Sequence, residues 1–178
     1  MKIKWYAACC VALLSPLAMA AENGGTIQFK GSVVSGACAV HSDSAMQTVN
    51  MGQVRKAALD TAMGNVSGST AFKIMLADCD SDVAGNASAS FGGVATDPKM
   101  QILSLGEGPN NAKGVGLRIE DHQSNLVTFD GVTKTATKAL GASDNQLQFN
   151  AHYVSTATGA ALKAGDASAT VDFNVNYF

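Results

Sequence analysis

Val171-Asp172-Phe173-Asn174-Val175-Asn176-Tyr177 alternates apolar and polar residues without a break, the period of a β-strand that buries one face. Near the opposite end, Ile27-Gln28-Phe29-Lys30-Gly31-Ser32-Val33 repeats the pattern, with Gly31 among the inward positions. The chain therefore reads as strand at both ends. A terminal strand with nothing to close its sheet is a pairing hazard in a monomer, but it is a connector in a protein built to polymerise.

Between these ends the alternation returns at Phe72, Ile74 and Leu76, at Val115, Leu117 and Ile119, and most clearly at Leu147, Phe149, Ala151 and Tyr153. Shorter candidates lie around Val49 and Met51, over Ala87 to Phe91, over Ile102 to Leu105 and from Leu126 to Phe129, which predicts seven to nine strands. Turn-forming stretches separate them, among them Asp82 to Asn86, Gly106 to Asn111, Asp130-Gly131, Gly141 to Asn145 and Gly165-Asp166. Only Arg55 to Met63 has a helical look. Many short strands, such turns and little helix indicate a β-sandwich of immunoglobulin-like type, with a closed barrel as the alternative.

Residues 1–20 are set aside as a secretory signal. Lys2 and Lys4 precede an apolar run from Trp5 to Leu14, then Ser15, Pro16 and the small-residue triplet Ala18-Met19-Ala20. The run is about half of what a membrane-spanning helix needs. Cleavage after Ala20 removes Cys9 and Cys10 and leaves Cys38 and Cys79, an even pair that in an exported protein reads as a disulfide. Closing that loop stabilises the fold by about 4 kcal/mol on the chain-entropy account. The signal takes two of the twelve basic residues and none of the fourteen acidic ones, so the mature chain is mildly acidic. With no Lys/Arg cluster, it does not suit nucleic acid. The remaining length accommodates one domain.

The residues give little support for catalysis or metal binding. Asp78-Cys79-Asp80-Ser81-Asp82 spaces three aspartates as a calcium loop does, but Val83 and Ala89 stand where such a loop needs glycine and glutamate, so a polar turn is the better reading. Gly114-Val115-Gly116 lacks the third glycine and following helix of a nucleotide site. His41, His122 and His152 are dispersed, and His152 falls on the polar side of its strand, which suggests a solvated side chain. No nucleophile elbow, zinc-protease helix or acid pair is present. The expectation is a non-enzyme without cofactor or metal.

Four stretches taken in order carry a resemblance: Gly24-Gly25-Thr26-Ile27-Gln28-Phe29-Lys30-Gly31 with Gly36-Ala37-Cys38-Ala39-Val40; Val49-Asn50-Met51-Gly52-Gln53-Val54; Phe72 to Leu76 with Asp78-Cys79-Asp80; and Gly165 with the penultimate Tyr177. Together they resemble the chaperone–usher pilins, specifically the shaft subunits of type 1-like fimbriae of Gram-negative bacteria. The resemblance implies an incomplete immunoglobulin-like sandwich that lacks its last strand and is completed by a donor strand from another subunit. On that basis the chain divides into a signal at 1–20, a donor extension at 21–34 and a pilin domain at 35–178. Ile27, Phe29, Gly31 and Val33 would form the donor strand. Gly165, Val171, Phe173, Val175 and Tyr177 would serve the acceptor groove and its recognition by chaperone and usher.

The resemblance further implies neighbouring pilins, a periplasmic chaperone and an outer-membrane usher as partners, with a homopolymer expected. It places the product in a surface fimbrium that supports adhesion, reached through the periplasm. Strand addition of this kind is a recognised route of chaperone–pilin recognition. Its physics is legible in the residues: Ile27, Phe29 and Val33 would each contribute about 1.5–3 kcal/mol of apolar burial. Backbone ladder bonds would add about 0.5–1.5 kcal/mol apiece. Gly31 would let the two backbones lie close. The alternative function is a stand-alone secreted binding or adhesin module. A secreted β-sandwich enzyme, its site assembled from distant residues, is a third.

Overall fold

The structure is a computed structural model that describes residues 25–141 and 145–178. The proposed signal and its cleavage point lie outside them. The chain divides into two units, 1–33 and 34–178. Residues 25–33 form no regular secondary structure, and Ile27, Phe29 and Val33 are exposed. The expectation of a strand here is not met, because a strand exists only with a ladder partner, and no ladder among the described residues includes this stretch.

The second unit contains β1 (Ala39–Val40), α1 (Ser42–Ala45), α2 (Lys56–Leu59), β2 (Val66–Ala77), β3 (Asn86–Gly92), β4 (Leu103–Ser104), β5 (Val115–Asp121), β6 (Asp130–Lys134), β7 (Lys138–Ala139), β8 (Asn145–Ser155) and β9 (Asp172–Tyr177). One sheet runs β1-β2-β8-β5-β4. In the other, β3 is central. Ala87 pairs with Lys138 and Tyr177, and Ser90 with Lys134 and Asn174, so β9 lies on one side of β3 and β6 and β7 on the other. The two sheets pack face to face as the expected sandwich.

The core follows from the alternation. Ile74 and Leu76 of β2, Ile119 of β5, and Leu147, Phe149 and Ala151 of β8 meet Ala87, Ala89 and Phe91 of β3. Phe149 is the hub: its ring stacks on Phe72 at 5.3 Å and meets Phe91 edge-on at 5.1 Å. The Cys38–Cys79 disulfide forms, clasping the β1–β2 pair where Ala39 lies opposite Ala77.

Several boundaries differ from the sequence reading. Val49 to Met51 is not a strand, and the helical stretch at Arg55 to Met63 shrinks to the single turn of α2. Leu126 to Phe129 contributes only an isolated bridge to Glu120, and the strand begins instead at Asp130. The Asp130-Gly131 turn chemistry is present all the same. The Asp130 carboxylate accepts from the backbone N–H groups of Val132 and Thr133, and Gly131 has φ +77°, so the bend opens β6 at an irregularity in its pairing with β3.

Two polar devices manage the ends and edges. At one end of the sandwich the buried Asp121 carboxylate accepts from the backbone of Gln123, Asn125 and Ala136, joining β5 to the link between β6 and β7. Burial pushes its pKa up, but these bonds and the Asn125 amide outweigh that and hold it below the usual carboxylate value. Along the β2 edge past β1, Ser44 Oγ accepts from Met75 N–H at 2.9 Å and Gln47 Nε2 donates to Lys73 O at 3.2 Å. His41 N–H also donates to Met75 O. These groups occupy backbone positions that another strand would need.

Candidate functional site: a cleft beside the C-terminal strand

β9 is laddered to β3 along one edge and has no strand partner on the other among the described residues. On the open side lies a cleft of about 1290 Å³. One wall is residues 44–54, which run past the plugged β2 edge without forming a strand; the other is residues 162–173. The bottom is the sandwich core itself. Ile74, Phe91 and Ile119 reach it and are closed to solvent, whereas Phe72, Leu117, Val171 and Phe173 are half-buried. An elongated apolar cleft with an unpaired backbone edge along one side can accept an extended peptide, pairing with its main chain and burying every second side chain.

Each wall is fixed by identifiable contacts. Tyr153, on the cleft floor, donates its hydroxyl to Ala167 O at 3.1 Å and so ties β8 to the second wall. Burial, then the nearby Asp166 carboxylate, pushes the Tyr153 pKa up, keeping the phenol a donor. That wall is also stitched to residues 110–113 by Ala112 N–H to Asp166 O at 2.8 Å and Asp166 N–H to Asn110 O at 2.9 Å. Gly165 fits there because a Cβ would overlap Asn110 O, Ala112 N and Asn111 C. On the first wall, Val54 packs beside Gly68, which has φ +69° at the irregularity in the β2–β8 register.

The residues expected at the groove are partly gathered by it. Gly165, Val171 and Phe173 line the cleft. Val175 and Tyr177 continue the inward row of β9 and pack against the core, but they do not line the cleft. Tyr177 donates its hydroxyl to Cys38 O at 3.0 Å, joining the end of β9 to the residue that the disulfide anchors. Burial raises its pKa too. The sequence reading missed Met51, Val54 and Leu162, all of which line the cleft. Met51 sat within the stretch read as a strand, and packing places it between two apolar clusters. Leu162, almost wholly buried, lies in an Ala/Gly-rich stretch that shows no period.

Other sequence candidates have plain structural explanations. The three aspartates at 78–82 form a turn beside the disulfide, with Asp80 accepting from Asp82 N–H at 2.9 Å. No group of three or more potential metal ligands occurs among the described residues. His152 is not the solvated side chain expected: it is 17% exposed, with Nε2 3.6 Å from Glu120 Oε2. β5 and β8 lie directly alongside each other there, with Arg118 opposite His152, and these neighbours shield the ring.

The family model described as "Fimbrial protein" matches residues 27–178. The chain is 42% identical over 156 residues to the fimbrial subunit type 1 of Salmonella typhimurium, covering 86% of this chain and 83% of the relative. It is also 42% identical over 188 residues to the type-1 fimbrial protein A chain of Escherichia coli, covering 99% and 100%. Among solved structures, a chain of a chaperone–usher pilus superposes with a TM-score of 0.74 at 26% identity, over 88% of this chain and 97% of that one. The P pilus rod subunit PapA gives 0.68 at 26% identity, over 80% and 100%.

Proposed function

Since the chain belongs to the fimbrial protein family and is a structural pilus subunit, we propose that it polymerises by lending residues 21–34 to the cleft of the next copy. The observation that carries this reading is the cleft itself. It leaves Phe72, Leu117, Val171 and Phe173 half-buried along the unpaired edge of β9, while the same chain holds a stretch without regular secondary structure whose exposed apolar residues alternate at strand spacing. Ile27, Phe29 and Val33 would enter the cleft, Gly31 would allow close approach of the backbones, and Val171 and Phe173 would receive the donor. Val175 and Tyr177 would continue the inward row of β9 that receives it, beyond the cleft.

Export through the periplasm after cleavage at Ala20, capture by a chaperone that lends a temporary strand, and delivery to an outer-membrane usher complete the reading. The cleft supports a need for such a chaperone, because half-buried apolar side chains beside an unpaired strand edge are an aggregation liability until they are covered. Each subunit gives with one surface and receives with another, a heterologous contact that propagates into an open filament. The product is a surface fimbrium that carries adhesion.

The test is deletion of residues 21–33 from the exported chain in a cell that supplies chaperone and usher. The expected outcome is a subunit that is recovered bound to chaperone and absent from filaments seen by electron microscopy. Normal filaments from the deletion would overturn the reading. A stable monomer that never needs a chaperone would favour a stand-alone module.

A further inference from the structure

Two exposed charges without ion-pair partners among the described residues sit on the two halves of the proposed contact, and this inference rests on that proposal. Lys30 falls on the polar side of the alternation that would turn Ile27 and Phe29 inward in a donor strand. Asp172 falls on the corresponding side of β9, since Phe173, Val175 and Tyr177 all face the core. Neither takes part in a salt bridge within the described chain. Asp172 is also one of two carboxylates flanking Gly92 of β3, with Asp130 on the far side. The basic residue one register step along, Lys134, is turned instead to the Phe178 ring, 4.2 Å from its centroid. The outward face of the sheet at this end of β9 therefore carries two carboxylates with no ion-pair partner among the described residues.

We infer that Lys30 of one copy pairs across the strand junction with Asp172 of the next, and that this pair sets the register of the inserted donor. Apolar burial alone does not choose one: shifts of two residues keep the same side chains inward, and only a one-residue slip turns them out. Every ladder between the strands described above is antiparallel. An antiparallel donor with Lys30 opposite Asp172 places Phe29 opposite Phe173, Ile27 opposite Val175, Gly31 opposite Val171 and Gly25 opposite Tyr177. The two largest side chains of β9 then face one aromatic and one glycine. In the register two residues further along, Lys30 meets Asn174, Ile27 crowds Tyr177, and Asp172 faces Ser32 with its charge unanswered. Directly opposed residues bring their Cβ atoms within about 4.5–5.5 Å, close enough for the charges to decide between registers of similar burial.

The test uses the full mature chain. Lys30→Glu sets a second carboxylate against Asp172, and Asp172→Lys sets a second ammonium against Lys30. Each variant alone should assemble about threefold to tenfold more slowly than wild type at low ionic strength, and the deficit should shrink as salt is added. Each cleft of one variant complements the donor of the other, so an equimolar mixture should recover the wild-type rate in strictly alternating filaments. The double variant should recover it alone. Single variants that assemble like wild type, or a mixture and double variant that remain slow, would overturn the inference. A wild-type chain that stays monomeric under the same conditions would instead overturn the self-donation reading on which it depends.

Discussion

β8 and β9 are written in the same alternating pattern, yet among the described residues β8 is laddered on both edges, to β2 and to β5, whereas β9 is laddered to β3 alone. Their inward rows differ accordingly. Leu147, Phe149 and Ala151 are buried, while Phe173, Val175 and Tyr177 are each partly open. Residues 27–33 extend the series, with the same alternation and no partner strand among the described residues. Alternation records which face a strand offers to a core. It carries no information about whether either edge has been met, because pairing is a property of neighbours and not of the sequence of the strand itself.

The closed half has the most to lose. Phe149→Ala removes a ring held by Phe72 and Phe91 and should destabilise the domain by about 3–5 kcal/mol in denaturant unfolding. Phe173→Ala on β9 should cost about 1–2 kcal/mol, in proportion to its half-buried side chain. Equal losses would mean that the β9 half is as fully packed as the β8 half.

A second test concerns the tie at the closed end. The folded pKa of Asp121 is depressed, so its contribution is present above the unfolded value of about 3.9 and is lost as pH falls from there through the folded pKa. Asp121→Asn should flatten that acid limb of the stability curve, measured by melting temperature against pH. It should also cost about 1–3 kcal/mol at neutral pH, because the amide replaces a carboxylate that accepts several backbone bonds. An acid limb of unchanged slope would show that the tie at the closed end is not acid-sensitive.

Phe29 is 91% exposed, so Phe29→Ala should leave the melting of the unassembled subunit within about 0.5 kcal/mol of wild type. The same change should weaken each filament junction by about 1.5–3 kcal/mol, read from filament melting. A change in the monomer as large as that in the filament would mean that this stretch already serves its own domain.

The parts of the fold that were legible were those whose burial is one-sided. The β2, β5, β8 and β9 alternations announce themselves because a sandwich strand shows one face to the core and one to water. Lys138–Ala139 of β7 is too short to have a period, and Asp130-Gly131 hid the start of β6 behind genuine turn chemistry. Val49 to Met51 has strand composition without a strand, standing as a wall of the cleft with its backbone unladdered. At the site, Val171 and Phe173 were visible from their period. Leu162 and Val54 were not, since what places them is the path of connecting segments through space, which local pattern does not encode.

The plugged edge of β2 has a consequence at the scale of the polymer. Ser44 and Gln47 deny that edge to an incoming strand, while β9 leaves its own open a short distance away. A second acceptor on the same sandwich would make each subunit trivalent and the product a branched gel. With the β2 edge stoppered, a subunit that lends one strand and receives one at β9 has a valency of two, and growth adds length without branches.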